Sequence, residues 1–204
     1  MASLDELIEG LFASLGPAGS LLVLLVIFAV DAAVFPALPE AWIVLTYSFR
    51  PAGLDAVSWA AVLLAMAVIG DLVGTSALYA AVRRLLIQGN RMPKPLERAM
   101  RRWTQFLLLK DERIILLNRV APVVPFVGAF IATLDWNVRK AIVFVLVGGL
   151  VKYTFLLFIV FVIGVAYDLA TARWITLGLV IVVVAASILG SWLYRRRLAD
   201  RAPP

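Results

Sequence analysis

Cysteine and histidine are both missing from the 204 residues of the chain. Their absence excludes disulfides, thiolate nucleophiles and zinc sites of the usual kind, and it removes the commonest general base. Charge is scarce as well: 16% of side chains are charged and 63% are hydrophobic, with a mean hydropathy of +0.99. A soluble domain carries about 25% charged and about 45–50% apolar residues, so a soluble globule is excluded. Any chemistry has to run on carboxylates, Lys and Arg, hydroxyls and backbone. No nucleophile–base pair stands out in that set, so no enzyme, cofactor or metal is expected. The net charge of +6 fits cytoplasmic loops and anionic lipid headgroups better than nucleic acid, for which there is no motif.

What is present is apolar sequence in long runs. A hydrocarbon core about 30 Å thick takes about 20 apolar residues per helix. Five stretches approach that size: residues 20–49, 57–82, 114–134, 141–166 and 174–194. The N-terminus lacks the basic region of a secretory signal and opens on Asp5, Glu6 and Glu9. Leu4, Leu7, Ile8, Leu11, Phe12 and Leu15 fall at helical spacing opposite those acids. Residues 1–17 therefore read as an amphipathic helix on the membrane surface ending at Gly16-Pro17, or equally as an extension of the first membrane helix.

Two of the five stretches are not plain spans. Residues 20–49 are too many for one span and too few for two, and Pro36 and Pro39 interrupt them; residues 114–134 contain Arg119, Pro122 and Pro125. Each proline removes a helical N–H and clashes with the preceding turn. Such breaks persist in a bilayer where the freed carbonyls face protein or a water-filled cavity, as in re-entrant loops. A proline-kinked helix is the plainer alternative. The cations separate the two: nine Lys/Arg lie between Arg83 and Arg113, two at Arg139-Lys140, and four at Arg195, Arg196, Arg197 and Arg201, fifteen of nineteen in all. All three groups can lie on the cytoplasmic side only if residues 114–134 enter and return. The first 49 residues carry no Lys or Arg, which suits an external N-terminus.

The expected fold is thus an all-α integral membrane protein of the plasma membrane, with the N-terminus external and the C-terminus cytoplasmic. It comprises a first half-repeat at 20–82 (re-entrant hairpin 20–49, span 57–82), a basic cytoplasmic linker at 83–113 and a second half-repeat at 114–166 (re-entrant hairpin 114–134, span 141–166). A C-terminal span at 174–194 and a basic tail at 195–204 complete it. In the linker, Leu96, Met100, Trp103, Phe106, Leu107 and Lys110 line one helical side with Arg98, Arg101 and Arg102 around it, a pattern suited to an anionic leaflet.

The two broken stretches share a spelling, Pro36-Ala-Leu-Pro39 and Pro122-Val-Val-Pro125, and each precedes a span with a charge near its middle, Asp71 and Lys152. One hairpin opening outward and one inward would relate the halves by a two-fold axis in the membrane plane, as in many secondary transporters. An ionisable group inside a bilayer costs about 2.5–3.5 kcal/mol on insertion scales and usually marks a pathway. Asp31, Glu40, Asp71, Arg119 and Lys152 are the candidates. Arg119 and Lys152 suit an anionic substrate, Arg119 by bidentate geometry toward phosphate or carboxylate. Asp31, Glu40 and Asp71 suit a coupled proton or cation. The structural alternative pairs Arg119 with Glu40 or Asp31, and Lys152 with Asp71, for neutralisation alone. Gly70 and Gly74 suit close helix packing.

Over residues 29–164 the sequence resembles the DedA family, also called the VTT or SNARE-associated Golgi protein family. The resemblance lies in Asp31, Pro36, Pro39 and Glu40; in Gly70-Asp71-Leu72-Val73-Gly74 with Tyr79 and Arg83-Arg84; and in Asn118-Arg119, Pro122 and Pro125-Phe126 after a basic helix with Trp103 and Phe106. It implies two inward-pointing re-entrant hairpins in inverted arrangement. The implied activity is movement of lipids, including polyprenyl-phosphate carriers and phospholipids, with proton or sodium coupling. By resemblance Asp31 and Glu40 take the place of the embedded acids and Arg119 that of the first essential arginine. Many bacterial members carry a second arginine where this chain has Pro125, which places it nearer the divergent branches. The expected function is a flippase or scramblase for an anionic lipid headgroup, with membrane lipids as partners and a homo-oligomer compatible. An ion-coupled exporter of small molecules and a non-transporting scaffold are the alternatives.

Overall fold

A computed structural model describes residues 4–33, 39–89, 98, 111–120, 126–166 and scattered residues between 171 and 189; of Arg119 and Val120 it describes the backbone alone. Every described element is helical. The helices are α1 (Leu4–Ala33), α2 (Pro39–Ser48), α3 (Ala56–Ala81), α4 (Ile114–Val120), α5 (Val127–Thr133) and α6 (Val138–Ala166). A wide π-helical stretch, Val82–Gln88, continues α3. Three segments are long and apolar enough to cross a membrane: Phe12–Ala33, Ala56–Gln88 and Val138–Gly164. The last two contain most of the spans expected at 57–82 and 141–166.

The first segment was not among the expected spans: its residues fall largely in the stretch 20–49 read as a re-entrant hairpin, yet they form one helix long enough to cross, which Gly16-Pro17 bends instead of ending. Gly16 holds φ 63° and ψ 177° inside α1, a conformation open to glycine and strained for other residues. Pro17 then starts the next helical run, where a missing N–H costs nothing. The Ser20 hydroxyl donates to the Gly16 carbonyl at 2.8 Å. The two readings of residues 1–17 thereby merge: a separate segment by direction, an extension by continuity. The C-terminal span expected at 174–194 has helical residues at Trp174, Ile175 and Leu177–Leu179, among others. Its remainder, the tail at 195–204, most of the linker's amphipathic helix, and Pro36, Pro122 and Pro125 lie outside the described residues.

α2 spans ten residues, about 15 Å at 1.5 Å per residue, which is half a bilayer core. Pro39 opens it, again where proline is tolerated. Thr46 and Ser48 return their hydroxyls to the carbonyls of Trp42 and Val44 at 2.7 and 3.1 Å, so neither polar group is left exposed to an apolar medium. Phe49 stacks on Phe12 with ring centroids 4.4 Å apart, and the Trp59 indole N–H donates to the Thr46 carbonyl at 3.2 Å. The end of α2 is thereby held near the N-terminal part of α1 and the start of α3. Asp55 caps α3, accepting from the Val57 and Ser58 N–H groups at 3.0 and 2.9 Å.

α3 is the central helix, and glycines let its neighbours approach its backbone. A Cβ on Gly70 would sit 2.7 Å from the Leu25 carbonyl oxygen, and one on Gly74 would sit 2.0 Å from that of Ala29. These contacts advance together along both helices, so α1 and α3 run parallel. On α5, a Cβ on Gly128 would lie 2.4 Å from the Thr75 carbonyl oxygen. Lipid is as apolar as a protein core, so close van der Waals packing of this kind drives helix association in place of the hydrophobic effect. α6 runs antiparallel to α3. Its C-terminal half joins Leu24, Phe28, Ile43, Val44, Trp59 and Leu63 in one cluster through Tyr153, Leu157 and Val160. Its N-terminal half joins Ile114, Ile115, Phe130, Ile131 and Trp136 in a second through Ala141 and Val145.

Candidate functional site

Between the two clusters lies the polar part of the interior. Lys152 is the one charge in the middle of α6, about 20 Å from either end of its apolar span at 1.5 Å per residue. Asp71 holds the matching position in α3. Glu40, the second residue of α2 and the only charge on it, stands in the helix's first turn, where a carboxylate is favoured by the helix dipole. The Lys152 ammonium forms a hydrogen-bonded ion pair with Glu40 Oε1. This contact joins residues 112 positions apart and links the first half of the chain to the second. The two side chains are 29% and 17% exposed, so the pair is enclosed yet reachable.

Aromatic packing fixes the surroundings. Lys152 Nζ lies 5.2 Å from the Tyr153 ring centroid, within range of a cation–π attraction. Tyr153 is buried and meets Phe28 edge-to-face at 5.0 Å. One turn earlier on α6, Gly149 leaves space for Asp71: a Cβ there would touch Asp71 Oδ2 at 3.5 Å and Tyr153 at 3.7 Å. Asp71 is 4% exposed and its Oδ2 is sealed from solvent. Glu40, Lys152, Tyr153 and Asp71 therefore form one patch at mid-depth, contributed by α2, α6 and α3. Asp31, half-buried, lies two residues beyond the Ala29 carbonyl that seats Gly74.

No family model, curated protein or solved structure matches this chain. The geometry of its own residues has to carry the reading.

The structure brings Glu40 and Lys152 together and places Asp71 beside them. Lys152 pairs with Glu40, a partner that the sequence did not propose for it. The physical reason is placement: α2 folds back toward α6 at the depth of Lys152, while Gly149 leaves room for the Asp71 carboxylate one turn away. Arg119 lies on α4 one residue before its end, and its side chain falls outside the described residues. Pro39 opens α2, while Pro36, Pro122 and Pro125 lie outside the description. Gly70 and Gly74 pack helices, as their spacing suggested.

Sequence reasoning missed Tyr153, Phe28 and the second cross-half contact, in which Arg83 Nη1 meets Asp135 Oδ1 at 2.7 Å. Asp135 follows α5 with φ 55°, a left-handed position that aspartate tolerates better than most residues. A signal existed for the first pair: opposite charges, each alone on an apolar helix interior or short helix. Among the described residues no group of three or more Asp or Glu side chains is placed to hold a metal ion. What the patch offers chemically is ion exchange, a carboxylate for a cation and an ammonium for an anion.

Proposed function

We propose that the protein is a multi-pass plasma-membrane transporter of the flippase or scramblase type, moving an anionic lipid headgroup across the bilayer with proton or sodium coupling. The observation that carries this reading is the Glu40–Lys152 ion pair, enclosed at mid-depth and bridging the two halves of the chain. A charge pair there is costly to assemble, and a partly exposed one is placed to trade partners with an ionic substrate while lipid tails stay in the hydrocarbon.

Three further observations support it. α2 is too short to cross, and the Phe12–Phe49 stack holds its end near the N-terminal part of α1, as a re-entrant hairpin requires. The antiparallel course of α3 and α6 suits an inverted repeat. The order of Asp31, Glu40, Gly70-Asp71, Arg119 and Pro122 resembles the DedA family, whose members move polyprenyl phosphates and phospholipids. In this reading Arg119 and Lys152 receive the headgroup, Asp31, Glu40 and Asp71 serve the coupled cation, the N-terminus is external and the basic tail is cytoplasmic. No bond is made or broken, so the protein is not an enzyme.

Reconstitution tests it. Liposomes containing the purified chain should expose a labelled polyprenyl phosphate or phospholipid headgroup faster than empty liposomes, and Arg119→Ala and Glu40→Gln should return the rate to background. Equal rates with and without protein overturn the reading. Movement of a water-soluble cation with no lipid movement would replace it with a small-molecule exporter.

A further inference from the structure

Resting on that reading, we infer that Lys152 is a tethered counter-ion that links anion binding to cation binding. An anion is received only as a monovalent cation takes over Glu40, so the two bind one to one. The inference deepens the proposed function by naming the group that enforces coupling.

In the structure each partner is neutralised by the other. An anion that draws the Lys152 ammonium away leaves the Glu40 carboxylate enclosed with no other counter-charge against it among the described residues, which is strongly unfavourable. A proton or sodium ion at Glu40 removes that penalty. By linkage, each ligand then strengthens the other by the same factor. Until the pair opens, the anion site is competent for only a fraction of the time, and apparent affinity falls by that fraction.

The neighbouring charges point the same way. From α3 the sealed Asp71 faces the same stretch of α6 as the pair, and from α1 Asp31 lies beside the α3 glycine seats. Both are acids, so neither can replace Lys152 as the cation for Glu40. The Tyr153 ring beside the ammonium attracts a cation but holds none covalently. Lysine also fits the task better than arginine. Its flexible four-carbon stem lets the ammonium leave Glu40 while α6 stays in place, whereas a guanidinium would grip the carboxylate through two bonds.

The inference is tested on the phospholipid branch of that reading, whose ligand chemistry is a phosphate diester, from a lipid headgroup or free in solution. The test is isothermal titration of the full-length chain in dodecyl maltoside with dioctanoyl phosphatidylglycerol and, separately, dimethyl phosphate. Each is run over a range of pH in sodium and in choline buffers. The wild type should bind more tightly as protons or sodium increase. Glu40→Gln removes the competitor and should bind at least about tenfold more tightly, with the cation dependence gone. Glu40→Asp keeps the charge and should keep the dependence, which separates linkage from loss of fold.

Phosphatidylglycerol binding that ignores both cations, or a Glu40→Gln variant that binds no more tightly, overturns the linkage while leaving lipid transport standing. Cation-dependent binding of dimethyl phosphate alone supports the linkage and overturns the lipid as substrate. Binding of neither probe overturns both the linkage and the phospholipid as substrate.

Discussion

Among the described residues, two ion pairs tie the first half of this molecule to the second, and they sit in opposite surroundings. Glu40 and Lys152 meet at mid-depth with side chains 17% and 29% exposed. Arg83 and Asp135 meet at 2.7 Å at the ends of α3 and α5 with side chains 38% and 84% exposed. The charges are alike, and the environment decides what each pair does. Water replaces a lost partner readily at an exposed pair, which therefore adds little beyond placement. At the enclosed pair a lost partner leaves a bare charge, so the pair can open only by exchange.

Breaking the enclosed pair should have the largest effect. Lys152→Ala is expected to lower stability by about 2–3 kcal/mol, somewhat under the usual cost of a fully buried orphan charge because the site is partly exposed. Unfolding in mixed micelles with rising dodecyl sulfate would measure it. Combining Lys152→Met with Glu40→Gln should recover most of the loss, since no bare charge remains. A double variant as unstable as the single one would mean that Lys152 acts through packing and not through its charge.

The exposed pair should respond less and differently. Arg83→Ala is expected to cost much less than Lys152→Ala, even in dilute buffer. That cost should all but vanish in molar salt, where screening acts over about 3 Å, while the Lys152→Ala effect persists. Equal salt sensitivity at both sites would erase the contrast between them.

The smallest effect belongs to a lone carboxylate at a helix end. Hydrogen bonds from Ser58, side chain and then backbone, and from Val57 hold the Asp55 carboxyl below its ordinary 3.8. A depressed folded value means that the cap contributes fully above the ordinary value and loses its contribution as pH falls through the folded one. The melting temperatures of wild type and Asp55→Ala should therefore differ by a small constant amount near neutrality and converge in acid. A gap that widens in acid would reverse the sign and reject the cap.

Much of the frame was legible because composition and length act locally. Two spans followed from apolar runs bounded by charge, and Gly70 and Gly74 followed from a four-residue spacing that aligns small residues on one helical side. The kink at Gly16 was legible as a break but not as a continuation, since either geometry satisfies a Gly-Pro pair. The partner of Lys152 was not legible. The spacing offered Asp71 for Lys152 and Arg119 for Glu40, and the Glu40–Lys152 contact depends on the return of α2 toward α6. No local spacing encodes a contact made between separate helices at a common depth.

The glycine seats along α3 have one more consequence. Gly70, Gly74 and Gly128 lie against the carbonyls of Leu25, Ala29 and Thr75, so little can re-pack there, and sliding by a fraction of a turn would drive main-chain atoms into one another. α1, α3 and α5 are therefore seated rigidly against one another. α2 and the C-terminal half of α6 meet their neighbours through Tyr47, Trp59, Tyr153 and Leu157, side chains that can change rotamer. Glu40 and Lys152 thus stand on the helices whose packing can adjust, against helices whose packing cannot.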